Sequence, residues 1–238
     1  MTFQGVLSFL LAALASYLVG AIPFGLLLGR ALRGVDIREH GSRNLGATNA
    51  FRVLGAPIGA TVFVLDFAKG LIPTLSAAAL AETYASPAEF APWIALTAAL
   101  SAVLGHVFPI YLGLRGGKGV ATGAGALAAL APIPTAIAFA LFASVVATTR
   151  YVSLGSILAA LALPLALFAT VGKAALHERL PALLASSAIA VLVTARHREN
   201  LVRLLSGTER RLGAPAASES ETAAAQSPAP DSPPKVGP

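Results

Sequence analysis

Residues 91–122 read APWIALTAALSAVLGHVFPIYLGLRGGKGVAT. Positions 91–112 carry no Asp, Glu, Lys or Arg, and the run then stops at Arg115 and Gly116-Gly117-Lys118-Gly119. About 20 apolar residues suffice for a helix to cross a bilayer, so 91–112 reads as a span that ends in a glycine-rich, cationic segment. The same reading applies on both sides of it. Apolar spans are predicted at roughly 4–28, 54–80, 91–112, 119–131, 134–149, 152–171 and 180–195. Pro132 and Pro134 split 119–149 into two helices, because proline lacks the N–H that would continue the first. The fold class is therefore an all-α polytopic bundle of about seven transmembrane helices.

Composition agrees. The chain has 238 residues, of which 56% are hydrophobic and 12% charged, against about 25% charged in soluble domains. Its mean hydropathy is +0.75. With no cysteine, disulfides, thiolate metal sites and cysteine nucleophiles are excluded. In a membrane protein the net charge of +6 does not indicate nucleic acid; it belongs to loops that face anionic lipid. On the seven-span reading, Arg30, Arg33, Arg38, Arg43, Arg52, Arg115, Lys118, Arg150, Arg196, Arg198, Arg203, Arg210 and Arg211 share one face, and Lys173 and Arg179 lie on the other. The positive-inside rule makes the crowded face cytoplasmic, with the N-terminus outside and the C-terminus inside. Residues 1–211 form the membrane-embedded domain, and 212–238, rich in Pro, Ser, Ala and Glu, read as a disordered cytoplasmic tail. Asp66 and Lys69 interrupt the second span at i,i+3 and are expected to pair inside the bundle.

Three polar segments on the crowded face carry the chemistry. In Gly116-Gly117-Lys118-Gly119-Val120-Ala121-Thr122, glycine lets backbone amides approach an anion, Lys118 adds a charge, and the next helix begins there. It is not a nucleotide-hydrolase loop: Leu112 and Gly119 stand where that motif needs Gly and Ser or Thr. The segment 41–52 offers Ser42, Asn44, Thr48 and Asn49 with Arg52, whose planar fork suits phosphate oxygens; some of these cap a helix starting near Ala47 or Thr48. The third places His197, Asn200 and Arg203 at successive i+3 steps on one helical stripe, with a histidine near neutrality as a base or an orienting group. No HExxH, no His followed five residues on by Asp, and no Gly-x-Ser-x-Gly occurs. A transporter of phosphorylated solutes would also place cations at an anion site, but near the midplane rather than at span ends.

Taken in order along the chain, Gly41 to Arg52, His106 to Thr122 and Arg196 to Glu209 resemble the three motifs of the bacterial acyl-phosphate:glycerol-3-phosphate acyltransferase family. The resemblance implies an inner-membrane enzyme with a cytoplasmic active site. It would move a fatty acyl group from acyl-phosphate to the sn-1 hydroxyl of glycerol-3-phosphate, giving lysophosphatidic acid and phosphate, with no cofactor and no metal. It also implies a catalytic set of Ser42, Arg52, Lys118, His197 and Asn200. The implied substrate-binding set is Asn44, Thr48, Asn49, Gly116, Gly117, Gly119, Thr122 and Arg203. A soluble enzyme that makes acyl-phosphate is the implied partner, and Glu209 is expected to pair structurally with a nearby cation.

Overall fold

The computed structural model describes residues 3–84 and 88–213. These form ten α-helices and short 3-10 turns, with no strand among the described residues. Helix α1 (Phe3–Gly20) continues after a break at residues 21–23 into α2 (Phe24–Arg33). A short α3 (Ala47–Leu54) leads into the long α4 (Ala56–Tyr84). Then follow α5 (Ala91–Val107), α6 (Val120–Leu130), α7 (Pro132–Thr149), α8 (Val152–Val171), α9 (Leu180–Arg196) and α10 (Arg198–Leu205).

Among the described residues, five helices are long and apolar enough to cross a membrane, and a sixth qualifies if α9 and α10, bent by 59°, make one span. Helix α6 has 11 residues. At 1.5 Å per residue it covers about half of a ~30 Å hydrocarbon core. The expected break between 119–131 and 134–149 is present, but at Ala131, so that Pro132 and Pro134 both fall in the first turn of α7. Proline fits there because those N–H groups would lack intrahelical partners in any case. Leu10, Leu14, Val64, Ile72, Ile133, Phe139, Leu165 and Val191 point outward, an apolar belt suited to lipid. At the end of the described residues the Leu212 N–H donates to the Arg150 carbonyl at 2.7 Å. Residues 214–238 lie outside the described residues.

Helix α5 is the centre of the bundle. Ala99, Val103 and Val107 pack with Ala126 and Leu127 of α6, Ala138 of α7, Leu163 of α8, and Ala185, Ile189 and Val193 of α9. Lipid is as apolar as these side chains, so close packing rather than water exclusion holds the helices together. Two reciprocal glycine pairs allow it. Gly20 of α1 lies on the Ala102 backbone and Gly105 of α5 on the Tyr17 backbone; Gly70 of α4 lies on Thr122 and Gly125 of α6 on Phe67. A Cβ at any of these would collide with backbone, which cannot swing aside. Gly70→Leu is therefore expected to push α6 off α4 and lower the melting temperature sharply; overpacking in a tight core costs about 1–3 kcal/mol or more. A variant that elutes and melts as the parent protein does would show that this crossing is not close-packed.

The Asp66–Lys69 pair is buried in α4 at 2.8 Å. The Lys69 ammonium also donates to the Ile22 carbonyl at 2.8 Å, at the α1–α2 break. The pair thus satisfies a backbone group that the break at Pro23 leaves without a helical partner.

Candidate functional site

The three polar segments, distant in sequence, meet at one end of the bundle around a cavity of about 420 Å³. Ser42, Asn44, Thr48, Asn49, Arg52, Lys118, Gly119, His197, Asn200 and Arg203 all line it. Gly116, Gly117 and Thr122 do not. The Gly116 and Gly117 amides are already used, donating to the carbonyls of Val107 and His106, both at 3.1 Å. These glycines are needed for a different reason: a Cβ at 116 would strike the His106 carbonyl, and one at 117 would strike the His106 ring. Thr122 is fully buried at the α4–α6 crossing. The glycine-rich segment thus positions Lys118 and opens the start of α6 to the cavity through Gly119, Val120 and Ala121. Gly119 has φ +79°, a conformation glycine adopts without strain.

The first segment is held by Asn49. Its amide group donates to the carbonyls of Ile37 (2.8 Å) and His40 (3.2 Å), and its oxygen accepts the Ser42 N–H at 2.8 Å. Asn49 is buried, so its hydrogen bonds shape the loop that carries Ser42. Asn44 accepts the Gly46 N–H at 3.0 Å. Helix α3 begins at Ala47, as expected, but Gly46 is its cap and no side chain closes the end. The amide end of α3 is therefore open beside Ser42 and Thr48, a setting that favours an anion.

A hydrogen-bonded chain joins the second and third segments. The Lys118 ammonium donates to Asn200 Oδ1. Asn200 Nδ2 donates to Glu209 Oε1 at 2.7 Å, and Ser153 Oγ donates to the same oxygen at 2.7 Å. Arg203 Nε donates to Glu209 Oε2 at 2.8 Å. Glu209 is thus the hub that fixes α8 and α10 relative to Lys118, and it pairs with Arg203 as expected. Burial raises its carboxyl, but the bonds from Ser153, Arg203 and Asn200 outweigh this and hold it below the ordinary glutamate value.

The cations are crowded. Burial, reinforced by Arg203 and Arg52, lowers the Lys118 ammonium to about 8, although Glu209 opposes the shift. Burial likewise works against the Arg52 charge, with Glu209 favouring it; a guanidinium keeps its proton even so. His197 is buried, and its Nδ1 lies 2.8 Å from the Val193 carbonyl. A carbonyl only accepts, so Nδ1 carries the hydrogen and Nε2 is left as the acceptor. Burial first, then Lys118, bring His197 down to about 4.

Sequence reasoning missed Ser153 and Ser156, which line the cavity from the first two turns of α8. Their i,i+3 spacing at the start of an apolar span on the cation-rich face was the available signal. Asp66 and His106 also reach the cavity, along with an apolar stretch made by Phe63, Val120, Phe142 and Val152.

The profile of the glycerol-3-phosphate acyltransferase family matches residues 10–207. A protein of Geobacter sulfurreducens named glycerol-3-phosphate acyltransferase is 47% identical over 211 residues, covering 88% of this chain and all of its own. One of Chlorobaculum parvum with the same name is 41% identical, covering 87% of this chain and 97% of its own. In three dimensions the chain resembles the crystal structure of PlsY (YgiH), an integral membrane glycerol 3-phosphate acyltransferase, in its glycerol 3-phosphate form. That likeness has a TM-score of 0.76 at 39% identity, over 87% of this chain and 96% of the other. The lysphosphatidic acid form of PlsY aligns with a TM-score of 0.74 at 38% identity. With its three polar segments gathered in one cavity of a multi-pass helical bundle, this chain belongs to the glycerol-3-phosphate acyltransferase family.

Proposed function

We propose that the protein transfers a fatty acyl group from acyl-phosphate to the sn-1 hydroxyl of glycerol-3-phosphate, releasing lysophosphatidic acid and inorganic phosphate. The observation that carries this reading is the mixed lining of one cavity. Arg52, Lys118 and Arg203 line it together with Phe63, Val120, Phe142 and Val152. Cations and open helix ends suit two phosphate groups, and the apolar wall suits a fatty chain entering from the bilayer.

Acyl-phosphate is an activated donor, so no covalent enzyme intermediate is needed. The hydroxyl oxygen attacks the acyl carbon, the bond from that carbon to the phosphate oxygen breaks, and phosphate leaves with the electron pair. Lys118 and Arg52 neutralise the charge that gathers on the leaving group, and Ser42, Asn44, Thr48 and Asn200 orient the acceptor. His197, at about 4 in the empty cavity, is a weak base. A phosphate monoester, with its second pKa near 6, accepts the hydroxyl proton more readily, and His197 Nε2 orients that phosphate.

The same reading has seven passes, counting α6 as a short one inside the bundle. The N-terminus is then outside and the cavity faces the cytoplasm of a bacterial inner membrane. Residues 1–211 act as the catalytic unit of early phospholipid synthesis, supplied by a soluble enzyme that makes acyl-phosphate.

The test is direct. Purified protein receives palmitoyl-phosphate with and without glycerol-3-phosphate, and phosphate and lysophosphatidic acid are measured. Release that requires the acceptor, in equal amounts of both products, supports the reading. Acyl transfer from acyl-CoA but not from acyl-phosphate would overturn the donor. Movement of glycerol-3-phosphate across vesicles without bond cleavage would make the protein a transporter.

A further inference from the structure

A second, shallower groove of about 750 Å³ lies beside the cavity, between the loop after α2, the loop after α5 and the end of α9. Arg38, Arg43, Arg115 and Arg196 line it, against one carboxylate, Glu39. Arg38 is engaged with Asp36 at 2.7 Å. Among the described residues, Arg43, Arg115 and Arg196 have no carboxylate within ion-pair distance. Arg196 lies over the Phe108 ring at 5.9 Å and reaches the Gly116 carbonyl only at 3.4 Å, and its Nε is buried without a hydrogen-bond partner. A buried donor left unpaired is costly, and guanidinium groups that converge without a counter-charge repel one another.

The backbone is also held against its preference here. Three non-glycine residues among those described have positive φ, and two of them, Arg43 at 57° and Leu114 at 65°, line this groove. Such strain persists where the surroundings fix it and clusters at binding sites. The groove opens beside apolar surface rather than only to solvent. Ile110, Tyr111 and Leu114 are each more than half exposed, at the end of α5 where a span meets the headgroup layer. Orientation of basic loops alone would call for cations spread over this face; it does not account for an unpartnered buried Nε or for two strained residues in one groove.

We propose that this groove binds the phosphate headgroup of an anionic phospholipid drawn from the surrounding bilayer. Arg115, Arg43 and Arg196 contact the phosphate, and the acyl chains run along Ile110 and Leu114. The groove adjoins the acyl-transfer cavity, with Arg43 lining both, and its binding does not depend on the reaction assigned there.

The test is lipid retention by the intact purified protein in native mass spectrometry. Phosphatidylglycerol and phosphatidylcholine of identical chains are titrated separately, and inorganic phosphate is added as competitor. The expected result is one phosphatidylglycerol retained in preference to phosphatidylcholine. Arg115→Gln, in an exposed loop that does not support the core, should weaken retention about fivefold, as follows from the ~1 kcal/mol that one surface cation contributes. Arg115→Lys should restore most of it, and Lys118→Gln, in the cavity, should leave it unchanged. Equal retention of both lipids, or a loss that follows Lys118→Gln and not Arg115→Gln, overturns the proposal. Displacement by inorganic phosphate at concentrations comparable to the lipid would assign the groove to free phosphate and overturn the lipid source.

Discussion

Lys118→Ala is expected to lower kcat/KM for acyl transfer by about a hundred- to a thousandfold, the range seen when one preorganised charge-stabilising group is removed from a site. The protein should remain folded. Lys118 sits among Arg52 and Arg203, so its loss relieves repulsion, and its partner Asn200 keeps Glu209. The pH profile gives an independent check. The ammonium titrates at about 8, so it is charged below that value and neutral above it. In the free enzyme kcat/KM should therefore fall as pH rises through about 8. Bound phosphate favours the charged lysine, so the corresponding limb in kcat should lie at higher pH. Lys118→Arg cannot lose its proton in this range and should flatten the alkaline limb, at whatever activity its larger fork retains. Wild-type kcat/KM in Lys118→Ala would remove the residue from the mechanism.

Glu209→Ala should be nearly as damaging, by a different route. Ser153, Asn200 and Arg203 all spend hydrogen bonds on this carboxylate. Removing it leaves those donors without a shared acceptor and frees α10 from α8, so Asn200 no longer holds Lys118 in place. Charge-assisted bonds of this kind contribute about 1.5–3 kcal/mol each, less where solvent screens them, and Arg203 is 41% exposed. The expected outcome is a lower melting temperature together with at least a hundredfold loss of turnover. The acid side supplies the sign. The Glu209 carboxyl is held below its ordinary value, so its contribution to stability is complete above the normal glutamate range and is lost as pH falls through the depressed value. Glu209→Ala should lose that part of the acid dependence. A variant with the parent's melting curve and turnover would show that α8 and α10 are fixed by other contacts.

How much could be read in advance varied with the range of the force involved. The apolar helices were legible because apolar length and charge are properties of a local run of residues, although among the described residues five, or six with the bent pair, rather than seven are long enough to span. The break at Ala131 was legible because proline acts on its own turn, and a pairing of Asp66 with Lys69 followed from their i,i+3 spacing. The third segment's stripe of His197, Asn200 and Arg203 was legible up to the bend between α9 and α10, where His197 Nδ1 meets the Val193 carbonyl. Gly116 and Gly117 read as amides free to hold an anion, yet those amides go to Val107 and His106. Whether an N–H is free depends on which carbonyl faces it, and here that carbonyl belongs to the end of another helix. Asn49 read as a ligand for the same reason, although its hydrogen bonds close the loop from Ile37 to Ser42. Ser153 was passed over because a serine in the first turn of an apolar span has the look of a local cap.

By itself the amino-acid sequence determined a helical membrane protein and the three polar segments that contribute to its cavity, since hydrophobic length, glycine, proline and charge act within a few residues. Only the tertiary structure decided which side chains share a wall. Glu209 became the hub because α8 and α10 converge on it, and Gly116 and Gly117 gave up their amides because α5 ends beside them. Such contacts, like the close α4–α6 crossing at Gly70 and Gly125, join positions that no local pattern connects.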